Sequence, residues 1–162
     1  MPRKLPFGLV ACLSLLFPMS ALAQSVELTT MFRGPDMSLE AVSDGPFVGM
    51  AQLRPRDGGR DQRWLIFSEG DWLRIGNRGA GKDMCLDVVN GGDRNNFVEM
   101  RPCGNYSGQL WQMRGEGDDI RLTTQFRGDW MCLDIVNGGF ADNIAHLAPC
   151  GNYSGQLWQV KQ

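Results

Sequence analysis

The chain has 162 residues and a formal net charge of −2. A mildly acidic chain lacks the basic face that nucleic-acid binding requires, so we expect no nucleic-acid partner. The one cluster of basic residues is typical of a solvated surface: Arg54, Arg56, Arg60 and Arg63.

Residues 1–23 have the pattern of a secretory signal peptide. Arg3 and Lys4 precede a short apolar run, and a small-residue motif predicts cleavage before Gln24. That run is too short to span a bilayer, and no later segment is long and apolar enough, so we expect no membrane span. Residues 24–162 are predicted to form one domain that is secreted or periplasmic.

The chain repeats itself with a period of 47 residues. Residues 85–111 and 132–158 align without a gap and are identical at 18 of 27 positions. Weaker matches indicate a third copy, because Pro55, Gln62 and Trp64 lie one period before their counterparts. A fixed period of this size is typical of a repeat architecture. The three predicted units lie near 26–70, 73–117 and 120–162.

Four cysteines remain once Cys12 has left with the signal peptide. An even number in an exported chain indicates disulfides, and two units each hold one pair at the same offset. The repeat thus selects one of the three connectivities. A zinc site is the alternative, but no CxxC spacing supports it, so we expect neither a metal nor another cofactor. The predicted disulfides are Cys85–Cys103 and Cys132–Cys150.

Each unit has the pattern of four short strands. The first strand alternates apolar with other residues, as Val26 and Leu28 do. A glycine turn, such as Gly81, precedes the second strand, and Asn90-Gly91 follows it in the second unit. The third strand ends at a proline and the fourth begins at a tryptophan. Because no window shows a helical period, the predicted class is all-β, with about twelve strands that leave no edges if they close.

These motifs resemble those of the ricin B-chain type lectin family. Three Gln-x-Trp motifs stand at equal spacing, and Cys-Leu-Asp with a second cysteine precedes two of them. The resemblance covers the whole mature chain and implies a β-trefoil, with six strands in a barrel and six in a hairpin cap. We expect the motif residues to be structural, since buried rings stabilise a core and glutamine amides satisfy backbone groups. They are Gln62, Trp64, Gln109, Trp111, Gln156 and Trp158.

The resemblance also implies carbohydrate-binding residues. Asp87 and Asp134 match the family's main sugar contact, and an ionised carboxylate accepts hydrogen bonds from two neighbouring sugar hydroxyls. The alternative role for these aspartates is to hold a turn amide. Glu99 and His146 occupy the position of a further family contact, where the family has glutamine.

Other positions depart from the family. Arg101 and Ala148 stand where the family has an aromatic ring that stacks on the sugar. Gly108 and Gly155 stand where galactose binders have asparagine. The resemblance therefore predicts the fold better than it predicts the ligand.

Two tyrosines are candidate replacements for the missing ring. Tyr106 and Tyr153 each lie between the second cysteine and the tryptophan of their unit. The alternative is that each ring packs over the disulfide and closes the loop. Asn90 and Asn137 are further candidates for carbohydrate binding, as amide donors after the second strand. Trp130 is either an exposed contact or a core residue.

The first unit has lost most of these residues. Ser38 and Arg56 stand in place of the cysteines, Glu40 replaces the aspartate, and Asp61 replaces the glycine. A longer carboxylate places its oxygens differently, so we expect at most two working sugar sites. No nucleophile pairs with the single histidine, and the chain is predicted not to be an enzyme.

The predicted function is a secreted, non-catalytic lectin domain with glycans or glycoconjugates as partners. The alternative is a non-catalytic cell-binding or adaptor subunit of a toxin complex, similar to those of cytolethal distending toxins, with a catalytic toxin subunit as its partner. A targeting module once fused to a glycosidase is a third, weaker interpretation.

Overall fold

A computed structural model of the chain describes residues 25–117 and 119–162. The predicted signal peptide, residues 1–23, lies outside these described residues. Within the described ranges there are twelve β-strands and four one-turn 3-10 helices, without an α-helix. No helix among these residues is long and apolar enough to cross a membrane. The predicted all-β class is confirmed.

The strands follow one another in three sets of four. The first set is β1 (Ser25–Thr30), β2 (Met37–Ala41), β3 (Ala51–Pro55) and β4 (Trp64–Glu69). The second set is β5 (Trp72–Asn77), β6 (Gly81–Val88), β7 (Val98–Pro102) and β8 (Trp111–Arg114). The third set is β9 (Arg121–Thr124), β10 (Met131–Ile135), β11 (Ala145–Pro149) and β12 (Trp158–Lys161). The 3-10 helices span Gly45–Phe47, Arg60–Gln62, Ser107–Gln109 and Ser154–Gln156.

Six of the strands close into a barrel. Strand β1 pairs with β12 and with β4, β4 pairs with β5, β5 with β8, and β8 with β9. A bridge between Ile120 and Trp158 joins the residue before β9 to β12 and completes the ring. Closure removes the unpaired edges that an open sheet would expose.

The other six strands form three hairpins, β2–β3, β6–β7 and β10–β11. Three backbone bridges link each hairpin to the next: Met50–Glu99, Phe97–His146 and Gln52–Ile144. Met50 and Ile144 are fully buried where the hairpins meet, and Phe97 packs against them. Barrel and cap together make the predicted β-trefoil.

The core repeats once per unit, as the sequence does. Trp64, Trp111 and Trp158 have no exposed surface. Each indole N–H donates to a backbone carbonyl in the second strand of its own unit, at 2.8, 3.0 and 2.9 Å. The accepting residues are Leu39, Leu86 and Leu133. The period of 47 residues is therefore the period of this core.

Both predicted disulfides form, Cys85–Cys103 and Cys132–Cys150. Each ties the second strand of its unit to the residue that follows the third strand. The two cysteines of each pair are 18 residues apart. Closing a loop of this length stabilises the fold by roughly 3 kcal/mol in the chain-entropy account of disulfides.

An ion pair stands where the first unit lacks a disulfide. Arg56, at the position of the second cysteine, pairs with Glu27, whose side chain is 1% exposed. Glu27 also pairs with Arg63 at 3.2 Å. Ser38, at the position of the first cysteine, donates its hydroxyl to the carbonyl of Leu28 at 3.4 Å. Polar contacts thus hold the segment that a covalent bond holds in the other units.

Candidate functional site

The larger pocket, of about 700 Å³, lies beside the 3-10 helix of the second unit. Four of the predicted carbohydrate-binding residues line it: Asp87, Asn90, Glu99 and Tyr106. Strand β6 ends there, so the carboxylate is presented next to the turn that carries the asparagine. One wall comes from elsewhere in the chain, because Phe126 of the third unit also lines this pocket.

An equivalent pocket of about 340 Å³ lies in the third unit. Asp134, Asn137 and Tyr153 line it, together with Gly155, and Phe32 of the first unit takes the place of the distant phenylalanine. The pockets therefore repeat with the units, and each draws one aromatic residue from the next unit around the barrel.

Both pocket aspartates are held by hydrogen bonds within their own unit. One carboxylate oxygen of Asp87 accepts the N–H of Val88 at 2.8 Å, and the other accepts the amide of Gln109 at 3.0 Å. In the third unit, Asp134 accepts the N–H of Ile135 at 2.7 Å and the amide of Gln156 at 2.9 Å. The carboxylate does hold a nearby backbone amide, as the structural alternative requires, and it also faces the pocket.

The glutamines of the motif anchor each aspartate to the loop after the third strand. The amide N–H₂ of Gln109 also donates to the carbonyl of Pro102 at 3.1 Å, and its oxygen accepts the N–H of Gly104 at 2.9 Å. Gln156 makes the matching bonds to Pro149 and Gly151 at 3.0 and 2.9 Å. Each pocket carboxylate therefore has little freedom to rotate before a ligand arrives.

Glycine is required beside each aspartate for steric reasons. A side chain at Gly108 would collide with a carboxylate oxygen of Asp87, and one at Gly155 would collide with Asp134. The asparagine found here in galactose binders would therefore displace the aspartate in its present position. Glycine in place of the family's asparagine therefore allows each carboxylate to occupy its present position.

The two candidate tyrosines are exposed platforms. Tyr106 is 61% exposed and Tyr153 is 60% exposed. A side chain at Gly104 or Gly151 would collide with the tyrosine ring, so each ring lies directly against the glycine that follows its disulfide. The ring is thus supported from behind, and most of its surface is left for contact.

The two pockets differ in charge. In the pocket of the second unit, Arg101 donates to Glu99 at 2.5 Å, and this hydrogen bond raises the pKa of the arginine. In the pocket of the third unit, Ala148 stands at the arginine position and His146 at the glutamate position. The pocket of the second unit therefore has an ion pair in its wall that the pocket of the third unit lacks.

His146 is the cross-strand partner of Asp134, but it is not among the residues that line the pocket of the third unit. Its imidazole packs edge-on against Phe97, with 6.3 Å between ring centroids. Burial lowers its pKa, and the charge of Asp134 opposes that shift. Trp130, left open between two roles, is 67% exposed and lines neither of the two pockets.

Sequence reasoning missed the phenylalanine of each pocket. Phe126-Arg127-Gly128 repeats Phe32-Arg33-Gly34 at twice the period. That repetition was the available signal, but each phenylalanine contributes to the pocket of the preceding unit, so its distance in sequence hides the contact.

In the first unit, side chains occupy the corresponding space. Asp61 accepts a hydrogen bond from Ser43 at 3.1 Å, and its carboxylate lies where a side chain at Gly79 would begin. Gly79 is the counterpart of Phe126. Glu40, the counterpart of Asp87, is drawn into an ion pair with Arg54 at 3.2 Å.

A pocket of this kind suits a neutral, hydroxyl-rich ligand. Each carboxylate oxygen has a second lone pair for a ligand hydroxyl, beyond the hydrogen bond it already accepts. Exposed asparagine side chains add amide donors and acceptors, and the tyrosine and phenylalanine rings add apolar surface.

Comparison with known proteins relates the chain to others by fold. No protein-family model matches it, and no curated protein matches it in sequence. Among solved structures, a mosquitocidal holotoxin superposes with a TM-score of 0.73 at 13% identity, over 86% of this chain and 17% of that one. The designed threefold-symmetric protein ThreeFoil has a TM-score of 0.69 at 19% identity, over 85% of this chain and 98% of that one.

A lectin with a bound sugar is also similar. The ricin B-like lectin of Macrolepiota procera, solved in complex with lactose, has a TM-score of 0.66 at 13% identity, over 86% of this chain and 96% of that one. At such identities the likeness concerns the fold. This chain is a β-trefoil, and ricin B-like lectins are among its structural neighbours.

Proposed function

We propose that the protein is a non-catalytic carbohydrate-binding domain with one sugar site in each of the second and third units. The observation that carries the proposal is the repeated pocket, in which a seated carboxylate, an asparagine and an exposed tyrosine lie together. Export from the cytoplasm is part of the proposal, since two disulfides suit an oxidising compartment.

The chemistry of the pocket supports a sugar ligand. Asp87 offers its remaining lone pairs to a pair of neighbouring hydroxyls, and hydrogen bonds to an ionised group are about twice as strong as neutral ones. Tyr106 offers a supported ring to the C–H face of a pyranose. The structural neighbour from Macrolepiota procera is a lectin solved with lactose, which supports a glycan ligand.

Two sites on one rigid body favour a multivalent surface. A shallow site holds a single sugar weakly, but the second contact is then intramolecular and raises the overall affinity. The proposed targets are therefore glycoconjugates that display many copies of one sugar.

A glycan array tests the proposal. The full chain with intact disulfides, Asp87→Asn/Asp134→Asn, and Glu40→Gln as the matched control are applied to the same printed glycans. We expect binding by the wild type and the control, and none by the double variant, whose fold is checked by tryptophan fluorescence. Full binding by a folded double variant would reject these aspartates as sugar contacts, and no binding by the wild type would reject the function.

A second candidate is a non-catalytic subunit that docks a catalytic toxin partner. Two exposed apolar side chains favour it, because Phe140 is 83% exposed and Val48 is 58% exposed. The ring of Phe140 packs 5.1 Å from that of the buried Phe47, which leaves most of the Phe140 side chain on the surface. Co-purification of the native chain with a catalytic subunit, broken by Phe140→Ser, would favour this candidate over an independent lectin.

A further inference from the structure

We infer that each sugar site is completed by the unit that follows it around the barrel. The phenylalanine of Phe126-Arg127 or Phe32-Arg33 forms an apolar wall for the ligand, and the arginine positions that ring and the asparagine-bearing turn. This inference rests on the proposed carbohydrate-binding function and extends the site beyond the unit that carries the aspartate.

Each arginine lies over the phenylalanine that precedes it. The guanidinium carbon of Arg127 is 4.2 Å from the centroid of Phe126, and that of Arg33 is 4.3 Å from the centroid of Phe32. A cation over an aromatic face at this distance is attracted to it. The arginine therefore fixes the ring whose side chain lines the pocket.

The same arginine also holds the turn of the preceding hairpin. Arg127 donates to the side-chain oxygen of Asn95 at 2.8 Å, and that oxygen also accepts the N–H of Gly91 at 2.7 Å. This turn follows Asn90, which lines the pocket. One oxygen thus joins the turn to the arginine of the next unit.

The site of the third unit repeats this arrangement. Arg33 donates to Asp142 at 2.9 Å, and the same oxygen of Asp142 accepts the N–H of Gly138 at 2.5 Å. Arg33 makes a second bond through Nε to the side-chain oxygen of Asn143 at 2.7 Å. Asn143 has a φ of 67°, a conformation that costs most residues energy.

In the site of the second unit, the corresponding atoms are both buried and unpaired. Among the described residues, Nε of Arg127 and the side-chain oxygen of Asn96 have no hydrogen-bond partner. Asn96 also has a positive φ, of 69°. Because burial of unpaired polar atoms is costly, a hydrogen bond between these two atoms is favoured. The contact between Arg33 and Asn143 is the geometry we assign to both sites.

We call the phenylalanine, the arginine and the two turn residues that the arginine contacts the clamp, and the site of the first unit lacks all of them. In the second unit, which would complete that site, Gly79 and Ala80 stand where the phenylalanine and arginine would be, and Val48 of the first unit stands where the turn acceptor would be. Gly49, with a φ of 85°, takes the left-handed position without a side chain to anchor. The site of the first unit thus lacks the ring, the cation and both acceptors.

This joint loss connects the clamp to ligand binding. The first unit keeps its tryptophan core, yet it lacks the aspartate and the glycine as well as the clamp. If Phe126 served only the common core, the second unit would also need a phenylalanine at this position, but it has Gly79. The ring and its arginine are therefore retained only where the carboxylate is also seated for a ligand.

The binding test isolates the pocket of the second unit by using Asp134→Asn as the background, which removes the pocket of the third unit. Phe126→Ala, Arg127→Ala and the control Phe67→Ala, an exposed phenylalanine that lines neither pocket, are titrated on printed arrays of mono- and oligosaccharides. We expect the half-saturating concentration to rise at least tenfold for Phe126→Ala and several-fold for Arg127→Ala, and to stay unchanged for Phe67→Ala. Unchanged binding by Phe126→Ala, alongside loss by Asp87→Asn, would overturn the wall while leaving the proposed function intact.

Amide hydrogen exchange tests the clamp without any ligand. Arg127→Ala should speed the exchange of residues 91–97 and leave residues 138–144 unchanged, and Arg33→Ala should do the reverse. Equal rates in wild type and variant at the facing turn would overturn the clamp. If the wild type binds no glycan, the proposed function and the wall both fail, and the exchange comparison still decides whether the clamp exists.

Discussion

The first unit and the two that follow share a core but differ in their surface sites. Trp64 is as fully buried as Trp111 and Trp158, and its indole makes the same hydrogen bond to the second strand. In contrast, Glu40 and Asp61 fill space that Asp87 and Gly108 leave open to a pocket. The core and the site are therefore separable features of one repeated unit.

The units also differ in what closes their outer loop. Two units use a disulfide, whereas the first uses the ion pair of Arg56 with Glu27. In the second unit Arg74, the counterpart of Glu27, donates instead to the motif glutamine Gln109 at 2.9 Å. The first unit thus reverses the charge at this position, and the buried carboxylate holds the arginine that replaced a cysteine.

The largest expected effects test whether the core is equivalent in all units. Trp64→Ala and Trp111→Ala should each lower the free energy of unfolding by about 3–5 kcal/mol, the usual loss for a fully buried large ring. Urea denaturation followed by far-ultraviolet circular dichroism measures both. A loss in the first unit of less than half that in the second would show that the threefold core is unequal.

Removing a disulfide should lower the free energy of unfolding more than removing the ion pair that takes its place in the first unit. Cys85→Ala/Cys103→Ala should lower stability by roughly 3 kcal/mol, because the unfolded chain regains the freedom of a closed loop. Glu27→Gln should cost about 1 kcal/mol, because its arginine partners can reach solvent. The same denaturation experiment compares them. Equal losses would mean that the ion pair is as effective as the disulfide.

The position of the Asp87 carboxylate should determine how tightly the pocket of the second unit binds glycan. A methyl group at Gly108 collides with Asp87, so Gly108→Ala should weaken glycan binding by this pocket about tenfold, which is about 1.4 kcal/mol. Titration on a glycan array in the Asp134→Asn background measures this. Gly155→Ala is the matched control, and in that background it should change nothing further. Unaltered binding by Gly108→Ala would show that the position of the aspartate is not critical.

The smallest effect concerns pH and the third unit. Burial lowers the pKa of His146 below its ordinary value of 6.5, against a smaller opposing effect of Asp134. The unfolded chain then binds the proton more readily, so this contribution to stability is complete above pH 6.5 and is lost as the pH falls below it.

Comparison with a variant isolates this effect from the titration of carboxylates. The difference in urea midpoint between pH 7.5 and 5.5 should be larger for wild type than for His146→Gln, which has no proton to gain. An identical difference in the two proteins would show that the imidazole is not sheltered from water by Phe97.

The fold was predictable from the sequence because the core determines the repeat. The tryptophans, the leucines that accept their hydrogen bonds and the cysteines all recur at one spacing. The number of strands, the disulfides and the closed barrel follow from that pattern. The ion pair of Glu27 with Arg56 was not predictable, because Glu27 in β1 is far in sequence from Arg56, which follows β3.

The candidate site was predictable only within each unit. Asp87, Asn90 and Tyr106 are close in sequence to one another and do line one pocket. Phe126 was missed because it belongs to the following unit and reaches the pocket only after the barrel has closed. His146 shows the opposite limit, since its strand position faces Asp134 while its ring packs against the neighbouring hairpin.

The most direct test of two sites in three units is a titration of the ¹⁵N-labelled full chain with its best array glycan, followed by two-dimensional NMR. We expect amide shift changes in two groups, around Asp87 with Phe126 and around Asp134 with Phe32. We expect none around Glu40 and Asp61. Changes of equal size in the first unit, or changes in none of the three, would contradict it.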